Sequence, residues 1–311
     1  MSNAGQSVCA VIVTYNPDSE RLGKTLQALA ATVARIVIVD NASAELREEA
    51  LRQRVSNLVV KRLPENLGVA AAHNAGFALA RDLGYPHVLL LDQDSRPDER
   101  MVGALFSALT RLQADGARVG CVGARLANRE NGTVSQFTRI GWLGATRVPC
   151  SDEAPVVECD VVFSSGSLVP MTAFDAVGGL EEGLFIDHVD NEWCLRARAK
   201  GYRIFGACNA ILEHRLGEGE GRIWLGRWRR LPRHKPFRYY YMFRNTVLLC
   251  RRDYVPLRYG LYYFTWLAAL FLAFGVFARQ RNGELGMMLK GLAHGLRGIT
   301  GKLLTAPSRA G

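Results

Sequence analysis

Asp92 and Asp94 follow an apolar stretch and stand two residues apart. In an extended chain such residues point the same way, so both carboxylates can face one divalent cation, which prefers hard oxygen ligands. An ion held there can also grip a diphosphate and neutralise it as it leaves. Helix capping competes for the same residues, because Asp94 or Ser95 precedes a helix expected near Pro97. Asp92 escapes that alternative, since a carboxylate closing a buried strand needs a partner. A second acidic cluster, Asp187, Asp190 and Glu192, falls at the expected start of another helix. Asp187 and Asp190, three apart, share a face there, while Val189, Trp193 and Ala197 form the apolar stripe. A carboxylate on the free face can take a proton from a hydroxyl, although acids also favour the first helical turn for electrostatic reasons. Asp40 closes a further apolar run. Its carboxylate suits the imide N–H of a uracil or thymine ring, or an Asx turn with Asn41 and Ser43. His214 ends the run at 210–212 and suits a third metal ligand or a structural place.

These groups are useful only if the chain brings them together. Residues 8–15 form a continuous apolar run, as in a buried parallel strand. Asp18 and Ser19 can cap a helix whose stripe is Leu22, Leu26, Leu29 and Val33. Residues 35–40, 57–63 and 87–92 read as strands and 69–83 as a helix. Pro97 opens another helix, with Asp98 and Glu99 in its first turn. Alternation of this kind implies a parallel sheet with helices on both faces, whose ligands bind beyond the carboxyl ends of the strands. Thr14, Asp40, Asn66 and Asp92 all fall at those ends. Beyond them, 125–155 read as loops with short strands, and 159–170 as one strand carrying Ser164-Ser165-Gly166-Ser167. Residues 187–200 read as a helix and 202–214 as a strand.

The 311 residues are 49% hydrophobic and 22% charged, an ordinary globular balance. Residues 1–7 read as a disordered or tag-derived N-terminus, and the first apolar run is too short for a signal-peptide core. The seven cysteines fit neither a zinc site nor a disulfide framework, which points to a reducing compartment. Charge is uneven: up to His214, 21 Lys+Arg against 25 Asp+Glu gives −4, and from Arg215 onward 18 against 4 gives +14. The basic, aromatic segment 222–311 favours a membrane surface over nucleic acid. Within it, residues 259–278 form a run of 20 without charge, long enough to just span a bilayer. Gly260, Gly275 and the flanking Arg258 and Arg279 favour a helix lying at the interface instead. The expected organisation is a catalytic domain over 8–221 and a membrane-associating region over 222–311. A dinucleotide-binding dehydrogenase is disfavoured, because no G-x-G-x-x-G follows the first strand; nor does a P-loop.

Several short motifs also occur in a telling order. They are residues 11–16 (VIVTYN), Val39-Asp40-Asn41, Glu65-Asn66-Leu67-Gly68 with His73-Asn74-Ala75-Gly76, and Leu91-Asp92-Gln93-Asp94. Ser164-Ser165-Gly166-Ser167, Asp190 with Cys194-Leu195-Arg196, His214, and Tyr240 with Arg244-Asn245 follow. Over residues 8–255 the set resembles family-2 glycosyltransferases of the GT-A fold, and most closely their rhamnosyltransferase branch. The resemblance implies an α/β fold with a Rossmann-like, mostly parallel sheet, helices on both faces, and a basic, aromatic helical C-terminal tail. It implies an inverting enzyme that uses Mg²⁺ or Mn²⁺. The enzyme would pass L-rhamnose from dTDP-rhamnose to a cell-surface polysaccharide or lipid-linked glycan, as in O-antigen assembly. Its place would be the cytoplasmic face of the inner membrane, on an anionic surface, as a monomer or homo-oligomer and without nucleic acid. Other donors (galactofuranose, N-acetylglucosamine) and a non-catalytic membrane-docking protein stay open. By the resemblance, Thr14, Asp40, Asn66, Gly68 and Gln93 would hold the nucleotide, and Asp92, Asp94 and His214 the metal. Ser165, Gly166 and Glu192 would meet the acceptor or donor sugar. Asp190 would be the base, with Asp187 its alternative because Val189 stands where many members carry Glu.

Overall fold

The computed structural model describes residues 7–128, 132–151, 153–214, 220–224, 228–232, 234–277 and 282–304; of these, the side chains of 214, 220–224, 228–232, 275–277 and 282 lie outside the description. β1 (Val8–Thr14) leads into α1 (Ser19–Ala30), β2 (Arg35–Asp40), α2 (Glu48–Arg54), β3 (Leu58–Arg62), α3 (Val69–Asp82) and β4 (His87–Asp92). The four strands run parallel in the order β3-β2-β1-β4. Helices cover both faces, which is why these strands read as continuous apolar runs rather than alternating ones. Asp18 caps α1 as expected, accepting from the N–H groups of Glu20 and Arg21, both at 3.0 Å. On the other face α3 lies against β1 at Gly76, where a Cβ would stand 2.3 Å from Val11 Cγ1. α2 buries one residue, Leu51, and so has no apolar stripe to announce it in the sequence.

The second half departs further from expectation. Pro97 does not open a helix: Arg96 and Pro97 form β5 (Arg96–Pro97), antiparallel to the end of the strand 203–214, and α4 (Met101–Ala114) starts after it. Proline lacks the N–H that a central strand needs, and β5 sits at the sheet edge where that is tolerated. Asp98 accepts from Arg100 N–H at 2.9 Å in the turn before the helix. Loops were expected from 125, yet β6 (Val119–Asn128) runs to 128. Its glycines hide the apolar pattern, and Val162 fills the space beside Gly123. A hairpin of β7 (Phe137–Gly141) and β8 (Gly144–Val148) follows. The expected single strand over 159–170 is two, β9 (Val156–Cys159) and β10 (Ser167–Pro170), separated by a turn in which Gly166 has φ +86°. After α5 (Met171–Val177), α6 (Val189–Ala199) begins two residues later than predicted. Phe185, Asp187 and His188 hold φ values of 66°, 63° and 64°, which a right-handed helix cannot include. β11 (Arg203–His214) completes the sheet in the order β3-β2-β1-β4-β10-β6-β11-β5, with β9 also on β11.

Cys150 and Cys208, 58 residues apart, form a disulfide that their spacing did not announce; Cys9, Cys121, Cys159 and Cys194 are buried thiols. The basic segment continues through the short strands β12 (Glu220–Trp224) and β13 (Trp228–Pro232) to α7 (Pro236–Cys250), α8 (Leu257–Phe277) and α9 (Asn282–Leu296). Tyr239, Phe243, Leu267, Leu270, Phe274 and Met288 join these last three helices in one apolar cluster.

Candidate active site

Parallel pairing sets Thr14 opposite Asp40 at the ends of β1 and β2, and both are fully buried. The Asp40 carboxylate accepts from the Thr14 hydroxyl (3.0 Å), from Ser43 N–H (3.1 Å) and its hydroxyl, and from Arg62 Nε (3.3 Å). These contacts show the Asx-turn use of Asp40, closed by Ser43. Arg62 was overlooked in the sequence. It stands opposite Asp40 in the β3 register and also donates to Ser43 O at 3.0 Å; a cation closing an expected strand at the ligand edge was the available signal. Asn41 Nδ2 donates to Asn66 Oδ1 (3.0 Å) and Gly68 O (3.2 Å), so two asparagines shape the turn into α3. Gly68, with φ +89°, is required by the close approach of Phe185, whose carbonyl a Cβ would meet at 2.5 Å. Gln93 Oε1 accepts from Tyr15 N–H at 2.7 Å and ties the end of β1 to the turn after β4.

β4 ends at Asp92, which pairs with Val13 and so lies on the same edge. Asp92 is half-buried and Asp94 exposed. Ser165 secures this end: its Oγ accepts from Asp92 N–H at 3.0 Å and shares a hydrogen bond with the buried Ser95 hydroxyl at 2.7 Å. Gly166 turns the chain, packed against Ala124 and Leu212, and its N–H donates to Leu90 O at 2.8 Å. Among the described residues no three His, Cys, Asp or Glu side chains cluster as a metal cage. The His214 side chain lies outside the described residues, although its backbone closes β11 opposite Asn128. Two carboxylates at a strand end nevertheless fit a Mg²⁺-like ion, which takes one or two carboxylates and completes its shell with substrate phosphate and water.

Ser164, the residue before Ser165 in the same turn, lines one cavity with Asp190 and favours the ionised form of its carboxylate, which accepts from Asn191 N–H at 2.8 Å. Burial outweighs these effects and pushes the Asp190 carboxyl up to about 6. The helix N-terminus alone would have lowered it. Two adjacent serines thus sit between the Asp92 strand end, which Ser165 holds, and Asp190, which shares a cavity with Ser164. An apolar cavity lined by Phe77, Val162, Phe174 and Trp193 adjoins Asp190.

Asp187 does not share the Asp190 face, because its left-handed backbone sets it outside α6. Its carboxylate makes a two-point ion pair with Arg238 of α7, the Nε contact being 3.3 Å. The loop before α6 is held by consecutive buried residues of α7. Asn245 Nδ2 donates to the carbonyls of Leu184 (2.9 Å), Ile186 (2.7 Å) and Asp187 (2.9 Å). Arg244 Nη2 donates to those of Gly183 (3.1 Å) and Leu184 (2.9 Å). Thr246 Oγ1 meets His188 Nε2 at 3.0 Å, and Asn191 Nδ2 meets His188 Nδ1 at 3.0 Å. Burial pushes His188 down to about 4, so its ring is neutral at pH 7. Glu192 is not brought to the site. Two residues along α6 turn it roughly 200° from Asp190, and it is 1% exposed, accepting from Arg196 Nε (2.7 Å) and Tyr254 OH (2.6 Å).

Residues 9–168 match the family described as glycosyl transferase family 2. The dTDP-rhamnosyl transferase RfbF of Shigella flexneri is 28% identical over 298 residues, 95% of this chain and 97% of that protein. The low-salt glycan biosynthesis hexosyltransferase Agl10 of Haloferax volcanii is 26% identical over 64% of each chain. Among solved structures, S. aureus TarS 1-349 in complex with UDP-GlcNAc superposes with a TM-score of 0.59 at 14% identity, over 94% of this chain and 81% of that one. GalNAc-T7 with UDP, GalNAc and Mn²⁺ gives 0.55 at 16% identity, over 67% of this chain and 43% of that one. The architecture is the GT-A fold these proteins share.

Proposed function

The chain belongs to glycosyl transferase family 2 and is a glycosyltransferase, and we propose that it passes L-rhamnose from dTDP-rhamnose, with inversion, to a lipid-linked glycan or cell-surface polysaccharide. The observation that carries this reading is the turn around Ser164 and Ser165, where a two-carboxylate strand end and the half-buried Asp190 carboxylate come together. The rhamnose donor rests on the likeness to RfbF along nearly the whole of both chains. The nucleotide lies over the edge formed by Thr14, Asp40, Asn66, Gly68 and Gln93. Asp92 and Asp94, with His214 as a further ligand, hold Mg²⁺ or Mn²⁺, an assignment supported by the Mn²⁺ and UDP in GalNAc-T7. When bound, the ion supplies positive charge to the departing diphosphate. Asp190 takes the proton of the acceptor hydroxyl as its oxygen attacks the anomeric carbon opposite the nucleotide. The carbon–phosphate oxygen bond breaks, the nucleoside diphosphate leaves, and the proton stays on Asp190. A carboxylate raised to about 6 is ionised at pH 7 yet basic enough for that task. Residues 8–221 carry the catalytic groups, α7 of the following segment braces the loop before Asp190, and 222–311 associate with the cytoplasmic face of the inner membrane.

A turnover screen of purified nucleotide sugars tests the proposal. dTDP-rhamnose is preferred, chelator stops turnover, and Mg²⁺ or Mn²⁺ restores it. Asp92→Ala and Asp94→Ala fold but are inactive. Preference for another sugar removes the rhamnose assignment, and full turnover in excess chelator removes the metal.

A further inference from the structure

α8 carries an apolar surface on the side facing away from the protein. Across its 21 residues Arg258 is the one charged side chain. The inner face is committed: Tyr259, Leu267, Leu270, Ala273 and Phe274 are buried, against α7, α9 and the β7–β8 hairpin. The outer face repeats at helical spacing through Leu257, Leu261, Phe264, Ala268 and Leu272, all exposed. A helix lying on a soluble protein shows polar residues on that stripe. Because its inner face is packed along the body, α8 lies along the surface rather than projecting from it.

The hairpin adds a second, independent feature. Gly141 and Gly144 close it, and its two-residue loop is Trp142-Leu143, with exposures of 69% and 105%. Such loops ordinarily take Gly, Asn or Asp for conformational reasons. Here Gly144, at φ +112°, supplies the unusual backbone, and the tip presents two large apolar side chains to solvent. Arg258 Nε donates to Ile140 O at 2.8 Å, and Ile140 packs with Tyr259. The tip therefore stands one residue pair beyond the first turn of α8, where the outward stripe begins. Arg147 flanks it and is exposed; Arg139, also exposed, donates to Glu158 O at 3.0 Å and lies 3.8 Å from its carboxylate. Asp253 is the one acid from 221 to 283.

We propose that the Trp142-Leu143 tip and the outward stripe of α8 dock together into the headgroup layer of an anionic bilayer, with Arg147 on a lipid phosphate. Tryptophan suits that boundary, with an apolar body and one N–H for water or headgroup. Asp160 N–H donates to Thr138 O at 3.1 Å and Asp160 Oδ2 accepts from Ile140 N–H at 2.6 Å, so the base of the hairpin adjoins the loop that leads to Ser164. Docking by this surface sets the edge beside Asp190 next to the membrane, where a lipid-linked acceptor is presented. Only that purpose rests on the transferase reading; the surface does not.

The test is co-sedimentation of the full chain with phosphatidylcholine vesicles, with and without phosphatidylglycerol, together with lipid-free donor hydrolysis. The native chain binds phosphatidylglycerol vesicles at least tenfold more strongly than pure phosphatidylcholine. The double variant Trp142→Ser/Leu143→Ser loses at least tenfold of that binding, as does Leu261→Ser/Phe264→Ser, while both hydrolyse donor at the native rate. Native-level vesicle binding by the hairpin variant overturns the proposal. So does indifference of the native chain to phosphatidylglycerol, or a lipid-free dimer that the hairpin variant dissociates. Failure of donor hydrolysis in the native chain counts against the transferase reading alone.

Discussion

Replacing Asn245 by Ala removes the amide that donates to three backbone carbonyls of the loop before α6. Its two N–H groups, shared among the three carbonyls, contribute on the order of 1 kcal/mol each, giving ~2 kcal/mol together. The loop they hold contains three non-glycine residues in left-handed geometry, at a conformational cost of roughly 1–2 kcal/mol each. Without the amide the loop relaxes toward ordinary backbone and carries the first turn of α6, and with it Asp190, out of place. A displacement of about 1 Å lowers the transfer rate by ~10². Nucleoside diphosphate affinity should fall much less than the rate, because Thr14, Asp40 and Asn66 are untouched and the loop meets the nucleotide edge only at Gly68, through Phe185. Asn245→Asp is the stricter control: it keeps an oxygen for Arg244 Nε, now 2.9 Å from Asn245 Oδ1, but has no amide to donate. Denaturant unfolding, nucleotide titration and single-turnover transfer read the three quantities. If either variant keeps native stability and rate, α7 does not position the base.

Three further outcomes follow from the same geometry. Burial pushes His73 and His188 each down to about 4, so both stay neutral in the native state while the unfolded chain protonates below 6.5; stability falls with pH over that window. Asp190, raised to about 6, opposes this by gaining stability as pH falls. The net expected loss between pH 7 and 5 is roughly 2 kcal/mol by denaturant titration, and unchanged or greater stability at pH 5 contradicts it. Glu192→Ala should destabilise by ~3–5 kcal/mol, by leaving Arg196 without its carboxylate, while activity per folded molecule persists; a stable but inactive variant would return Glu192 to the site. Asp187→Asn, which weakens the pair with Arg238, should lower transfer less than Asp190→Asn, and the reverse order of rates would exchange their roles.

The parallel half of the sheet was legible because burial on both faces leaves unbroken apolar runs, and the edge residues Thr14, Asp40 and Asp92 followed from strand ends. The acidic loop was not, since Phe185, Asp187 and His188 adopt positive φ without the glycine that would signal it. Helical periodicity therefore placed Asp187 beside Asp190. Arg244, Asn245 and Thr246 act on carbonyls and a ring some 60 residues earlier in the chain, a relation no local pattern carries. β6 was hidden by Gly120 and Gly123, whose missing side chains make room for Ile204 and Val162. The rise in the Asp190 pKa depends on how deeply tertiary packing buries it, which a first-turn position cannot reveal.

The most direct test of the account is the pH dependence of single-turnover transfer with saturating donor, in the native chain and in Asp190→Asn. The native rate should fall with an acidic limb near pH 6, where Asp190 takes up a proton. Asp190→Asn should be slower by ~10²–10⁴, lack that limb, and bind nucleoside diphosphate as the native chain does. A variant that transfers at the native rate, or keeps the limb, would show that Asp190 is not the base.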